Sequence, residues 1–150
     1  MAAVSLRTQA IRLLARREYA RAELLQKLLA KGAEPDAARL LLDELSAQGY
    51  LSDARYAQAA VAHQSRAFGR RRIAATLTAK GVARADIETA LAEAGIDDEA
   101  ALRALWQRRF GHAPVDERDK ARQVRFLHAR GFAVSAILRL LRDCAAGAPE

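Results

Sequence analysis

Arginine supplies most of the chemistry this sequence offers. Arg66, Arg70, Arg71, Arg72, Lys80 and Arg84 crowd one stretch, where seven Lys/Arg stand against four Asp/Glu over 52–95. Further on, Arg118, Arg122 and Arg125 follow i, i+4, i+7 and share one face of a predicted helix, with Ala121, Val124 and Leu127 as its apolar face. Guanidinium groups grip phosphate or carboxylate through paired N–H donors. These clusters would therefore suit a nucleic-acid backbone or an acidic protein surface. They would equally suit a solvated face with local ion pairs, such as Asp119 with Arg122. The whole chain carries a net charge of +7 and a pI near 10.3, which favours a negative partner. An excess of Arg over Lys is also what a GC-rich genome produces.

Catalytic and metal-ligating constellations are not expected. His63, His112 and His128 fall in three different segments, with no second ligand at metal spacing. Cys144 is the only cysteine, cannot form an internal disulfide, and has no neighbouring His to make it a nucleophile. Its predicted role is that of a small apolar residue near the last helix. No Gly-rich phosphate loop is present, and Gly69-Arg70-Arg71-Arg72 reads as a helix start. Asp43-Glu44 and Asp97-Asp98-Glu99 fit surface charge and first-turn capping. The sequence thus assigns no catalytic, cofactor-binding or metal-binding residue, and its function is binding. Sequence-specific duplex reading is not expected, because the helix from Arg84 to Ala94 carries three acids past its first residue. Stacking platforms for single strands are also scarce. The aromatics Tyr19, Tyr50, Tyr56, Phe68, Trp106, Phe110, Phe126 and Phe132 lie mostly at predicted helix junctions, where packing accounts for them.

The elements that position these residues are helices. Ala, Leu, Arg, Lys and Glu dominate, all good helix formers, and hydrophobic residues at 51 % suffice for a core. Lys31-Gly32, Lys80-Gly81 and Arg130-Gly131 recur at spacings of 49 and 50 residues, a period that signals tandem units. The pair terminates a helix: Gly adopts the left-handed conformation, and a cation suits the last turn. Leu28, Leu77 and Leu127 lie four residues before these glycines; Ala38, Ile87 and Ile137 lie six after, and Leu42, Leu91 and Leu141 ten after. Each unit reads as three helices: 6–17, 21–31 and one opened by Glu34-Pro35-Asp36; then 52–66, 70–80 and 84–94; then 97–110, one capped by Asp116, and 133–142. The predicted architecture is all-α, three tandem three-helix repeats over 1–51, 52–95 and 96–146 in an elongated, curved array, with a frayed tail at 147–150. No apolar run approaches the roughly 18 residues of a membrane span, and no cleavable leader is evident. A cytoplasmic, monomeric protein is expected. A membrane-surface role for the first helix is explained better by core packing.

Several of these stretches are similar to one family. Arg16-Arg17-Glu18-Tyr19-Ala20-Arg21-Ala22-Glu23-Leu24 with Lys27-Leu28, and above all Gly49-Tyr50-Leu51-Ser52-Asp53-Ala54-Arg55-Tyr56-Ala57, resemble the RecX regulatory proteins. So do Arg66 with Phe68-Gly69-Arg70-Arg71-Arg72-Ile73, Leu77 and Lys80-Gly81-Val82, and Lys120-Ala121-Arg122 with Phe126-Leu127 and Arg130-Gly131-Phe132. The segment from Gln58 to Gln64 is richer in Ala than the family pattern. The resemblance implies three three-helix repeats and a non-catalytic modulator, usually an inhibitor, of the recombinase RecA. It implies binding to the RecA–single-stranded DNA filament, with suppression of ATP hydrolysis, strand exchange and coprotease action, and hence control of recombination, DNA repair and the SOS response. Weak nonspecific contact with naked DNA could accompany this, and the competing expectation is a nonspecific nucleic-acid binder that only competes with RecA for DNA.

Overall fold

The computed structural model describes residues 4–147, which form nine α-helices and no strand. They are α1 (Leu6–Arg16), α2 (Arg21–Ala30), α3 (Pro35–Ala47), α4 (Asp53–Gln64), α5 (Arg70–Ala79), α6 (Arg84–Glu93), α7 (Asp98–Arg109), α8 (Glu117–Ala129) and α9 (Val134–Ala146). The three predicted triplets are present, and the differences lie at their ends. The first helix stops at Arg16, because Arg17 is extended and its guanidinium turns back to Glu23. The fourth stops at Gln64 instead of Arg66. The ninth runs to Ala146, four residues beyond the predicted stop, since Cys144 packs half-buried against the core beneath it. Of the expected frayed tail, Gly147 caps α9, and Ala148–Glu150 lie outside the described residues.

The repeated register has a physical cause. Gly32, Gly81 and Gly131 adopt φ of +92°, +82° and +99°. In each copy the next residue's N–H donates back to the leucine four residues before the Gly: Ala33 to Leu28 at 3.1 Å, Val82 to Leu77 at 3.1 Å, and Phe132 to Leu127 at 3.4 Å. That leucine is fully buried in all three copies. The positions six and ten residues after each Gly are buried as well. One turn therefore ties a core leucine, a left-handed glycine and the buried stripe of the following helix into a unit.

Two helix starts are capped from outside their own helix. Residues 20 and 69, which precede α2 and α5, are Ala and Gly and have no side-chain acceptor to offer. The Asp53 carboxylate, in the first turn of α4, accepts the Arg21 N–H at 2.7 Å. The Asp98 carboxylate, in the first turn of α7, accepts the Arg70 N–H at 3.2 Å. Ser52 and Asp97 meanwhile cap α4 and α7 themselves. The junctions 49–53 and 95–98 thus each cap two helices.

Contacts group the chain into two compact units. One holds residues up to Ala60 together with Thr76–Glu93, and the other holds Val61–Ala75 together with residues from Ala94 onward. The first is built on Leu24, Leu28, Leu42 and Leu45. The second is built on Trp106, Leu127, Phe132 and Ile137. Helices α4 and α5 each contribute residues to both units.

Candidate functional site

The predicted basic residues separate according to these units. Lys80 and Arg84 belong to the first and are engaged there: Lys80 lies 3.5 Å from Glu23, and Arg84 lies 2.8 Å from Glu88. The Arg84–Glu88 pair is exposed, where such pairs contribute about 0–1 kcal/mol, whereas Lys80 is half-exposed against a mostly covered Glu23. Arg66, Arg70, Arg71, Arg72, Arg118, Arg122 and Arg125 all fall in the second unit. The second-repeat basic residues thus fall in both units, the larger number in the same unit as those of the third repeat.

The start of α5 is seated by two glycines. A Cβ on Gly69 would stand 2.6 Å from the Gly131 carbonyl oxygen, and one on Gly131 would stand 2.5 Å from the Arg72 Cβ. The Gly69 N–H donates to the Arg130 carbonyl at 2.8 Å. Backbone packs directly on backbone here, and this approach fixes where α5 points its arginines. Arg72 uses one guanidinium nitrogen on the Ala129 carbonyl, 2.8 Å away. Arg70 reaches the Ile96 carbonyl at 3.4 Å. Arg66, Arg71, Arg118 and Arg125 are exposed and have no side-chain partner among the described residues.

Between the two clusters runs an alternation of arginine and phenylalanine that sequence reading did not foresee. Arg72 lies 4.2 Å from the Phe68 ring centre, and Arg130 lies 5.2 Å from it. Arg130 also approaches Phe126 at 4.9 Å. Arg109 stands 5.1 Å from Phe126 and 5.2 Å from Phe110, and Arg122 stands 5.5 Å from Phe110. The Phe110 and Phe126 rings meet edge to face at 5.5 Å. Each contact contributes about 0.5–1 kcal/mol at exposed sites. Their further effect is to hold four guanidinium planes against rings, so less side-chain freedom is lost when an anion binds. Arg122 in this series also pairs with a carboxylate, Asp119 at 2.8 Å. Phe68, Phe110 and Phe126 are half-buried, so packing alone does not describe them. Tyr50 is more exposed still, at 52 %.

Helix α8 differs from expectation. Ala121 is exposed, and the buried row is Asp119, Gln123 and Leu127. Gln123, with no exposure, accepts the Trp106 indole N–H at 2.9 Å and donates to the His112 carbonyl and the Asp119 carboxylate, both at 3.3 Å. Asp119 also accepts the Val115 N–H at 3.1 Å and two bonds from Arg122. Arg122 and the Val115 N–H hold its carboxyl below the usual range. The Asp119–Arg122 pair expected on a solvated face is therefore the outer edge of a buried polar network. That network fixes the loop before α8 and lines up Arg118, Arg122 and Arg125 along one shallow groove with His112. A spacing of four between Asp119 and Gln123, continued by Leu127, was the available signal for a helix row with polar members in the core.

Among the described residues no three His, Cys, Asp or Glu side chains are grouped to hold a metal ion. No helix of the described residues is long and apolar enough to cross a membrane. The arrangement can bind a polyanion through aligned guanidinium groups.

Comparison with known proteins agrees in register with the three triplets. Family models for the first, second and third three-helix domains of RecX match residues 7–45, 52–91 and 97–141. The chain is 46 % identical over 140 residues to the regulatory protein RecX of Pseudomonas fluorescens strain SBW25, covering 92 % of this chain and 90 % of that protein. It is 45 % identical over 143 residues to that of Ectopseudomonas mendocina, covering 94 % and 95 %. Among solved structures, RecX from Lactobacillus salivarius superposes with a TM-score of 0.73 over 94 % of this chain and 95 % of that one, at 18 % identity. With all three domain models matched in order and nearly half the residues shared over most of its length, the chain belongs to the RecX family of regulatory proteins.

Proposed function

We propose that this chain is a cytoplasmic, non-catalytic regulator that binds the RecA–single-stranded DNA filament as a monomer. On this reading it restrains ATP hydrolysis, strand exchange and coprotease function, and so acts on recombination, repair and the SOS response. Its repeats run 1–51, 52–95 and 96–146. The observation that carries the reading beyond the family name is the set of arginines in the second unit: the Arg66, Arg71, Arg118 and Arg125 side chains have no partner among the described residues, and other guanidinium groups of the unit are braced on Phe68, Phe110 and Phe126. Such a surface meets phosphates or acidic side chains without first breaking internal ion pairs. A filament of many identical protomers also strengthens attachment by presenting contacts in series.

The competing reading is a basic protein that occupies naked DNA and displaces RecA by mass action. Fluorescence anisotropy of this protein against the assembled filament, RecA alone and single-stranded DNA alone separates the two. Filament affinity far above either component is the expected result. Affinity for naked DNA equal to that for filament, with a steep salt slope, would overturn it. Substitution of Arg66, Arg71, Arg118 and Arg125 by Gln should weaken filament binding. Reversal of Arg70, Arg71 and Arg72 together is the poorer test, because Arg70 and Arg72 also hold backbone carbonyls within the unit.

A further inference from the structure

The first compact unit has a basic site of its own. Its other cations are all engaged. Arg7 donates to Gln48, Arg17 pairs with Glu23, Arg21 with Asp43, Arg39 with Asp36 and Arg55 with Glu18. Lys80 and Arg84 pair as described above, and Lys27 lies over the Tyr19 ring. Arg12, Arg16 and Lys31 are the cations left without a side-chain partner among this unit's described residues, and all three line one shallow groove with Val4, Gln9 and Leu13. Arg12 and Arg16 sit one helical turn apart on α1, and Lys31 closes the end of α2. No carboxylate of the described residues lines the groove. Three like charges brought together with no internal counter-charge repel one another, and a bound anion would relieve that repulsion.

We propose that this groove is a second seat for the phosphodiester backbone of a nucleic-acid strand, separate from the arginine surface of the second unit. A strand presents an unbroken row of negative charge, which suits a groove that no acid interrupts. A protein's acidic surface usually carries cations among its acids. No aromatic ring lines the groove, so it contacts phosphates without stacking bases and is indifferent to sequence. The proposal rests on DNA being part of the target and adds a contact that neither the arginine surface nor the repeat pattern supplies.

The test uses the full chain and labelled oligothymidylate, with affinity measured by anisotropy across a salt series. Each phosphate contact on a single strand adds about 0.7 to the slope of log affinity against log salt, so losing three contacts removes about 2. The variant Arg12→Gln, Arg16→Gln, Lys31→Gln should show that reduction with unchanged helicity by circular dichroism. A control removing three engaged cations from the same unit, Arg7→Gln, Lys27→Gln, Arg39→Gln, should leave the slope within about 0.5 of wild type. An unchanged slope in the groove variant would overturn the proposal, and so would equal losses in both variants, since net charge would then explain the effect. Weaker binding of the groove variant to RecA without DNA, at an unchanged DNA slope, would assign the groove to protein and overturn it too. If the strand is bound normally but filament ATP hydrolysis is untouched by this protein, the regulatory reading fails while the groove stands.

Discussion

Replacing Gln123 by Leu isolates the buried network that places α8. Gln123 is fully buried and Trp106 is 4 % exposed, with 2.9 Å between the indole nitrogen and the Gln123 side-chain oxygen. Leucine fills nearly the same volume but leaves the indole N–H without an acceptor, at a cost of about 1–3 kcal/mol. A loss near the middle of that range lowers Tm by roughly 4–8 °C for a chain of this size. The Gln123 bonds to His112 and Asp119 are also lost, but equally whether or not the indole is present. A double-mutant cycle with Trp106→Phe therefore cancels them. Trp106→Phe removes the donor, so Gln123→Leu should cost markedly less in that background, with a coupling of at least about 1 kcal/mol. Urea unfolding followed by circular dichroism measures all four proteins, since Trp106 is the only tryptophan and fluorescence would be lost. Additivity within about 0.5 kcal/mol would refute the claim that this bond organises the site.

Three further outcomes follow from the geometry. Gly131→Ala must both strain a positive φ and displace Arg72, whereas Gly32→Ala meets no atom within 4 Å; thermal melting should show a small loss for Gly32→Ala, about 1–2 kcal/mol from backbone strain alone, and a distinctly larger one for Gly131→Ala. Asp53→Ala removes the cap on α2 and should cost about 0.5–2 kcal/mol in denaturant titration, with the loss reduced in Asp53→Asn. The Asp119 carboxyl sits below its ordinary value, so its contribution is present above the unfolded-state pKa and is lost as pH falls through the folded one. The stability gap between wild type and Asp119→Asn should therefore be widest near neutrality and narrow below about pH 4; a gap independent of pH would contradict the assignment.

The helices and their repeat were legible because each rule involved is local. Glycine after a basic residue, leucine four before it and apolar residues six and ten after it all answer to one turn and one helix. Pairings between distant residues were not legible. Asp53 lies 32 positions from the N–H it caps, and nothing in its own neighbourhood distinguishes it from a first-turn acid. The arginine–phenylalanine series draws on the loop before α5, the start of α5, the end of α7, and α8 with its C-cap, so each of its members taken singly reads as junction packing or surface charge. Arg118, Arg122 and Arg125 were correctly placed on one face by periodicity. The opposite face was misjudged at Ala121, because apolar residues were assigned to the core and the buried row instead runs through Asp119 and Gln123. Grouping Lys80 and Arg84 with Arg66–Arg72 followed sequence proximity, whereas α5 divides between the two units and takes its two ends with it.

The central claim is regulation of the recombinase filament, and single-stranded-DNA-dependent ATP hydrolysis by RecA, titrated with this protein, tests it most directly. The account predicts inhibition well below one copy per RecA, before the DNA alone would be occupied, and a weaker effect when Arg66, Arg71, Arg118 and Arg125 are replaced by Gln. Hydrolysis that is unaffected, or that falls only once naked DNA is saturated, would contradict it.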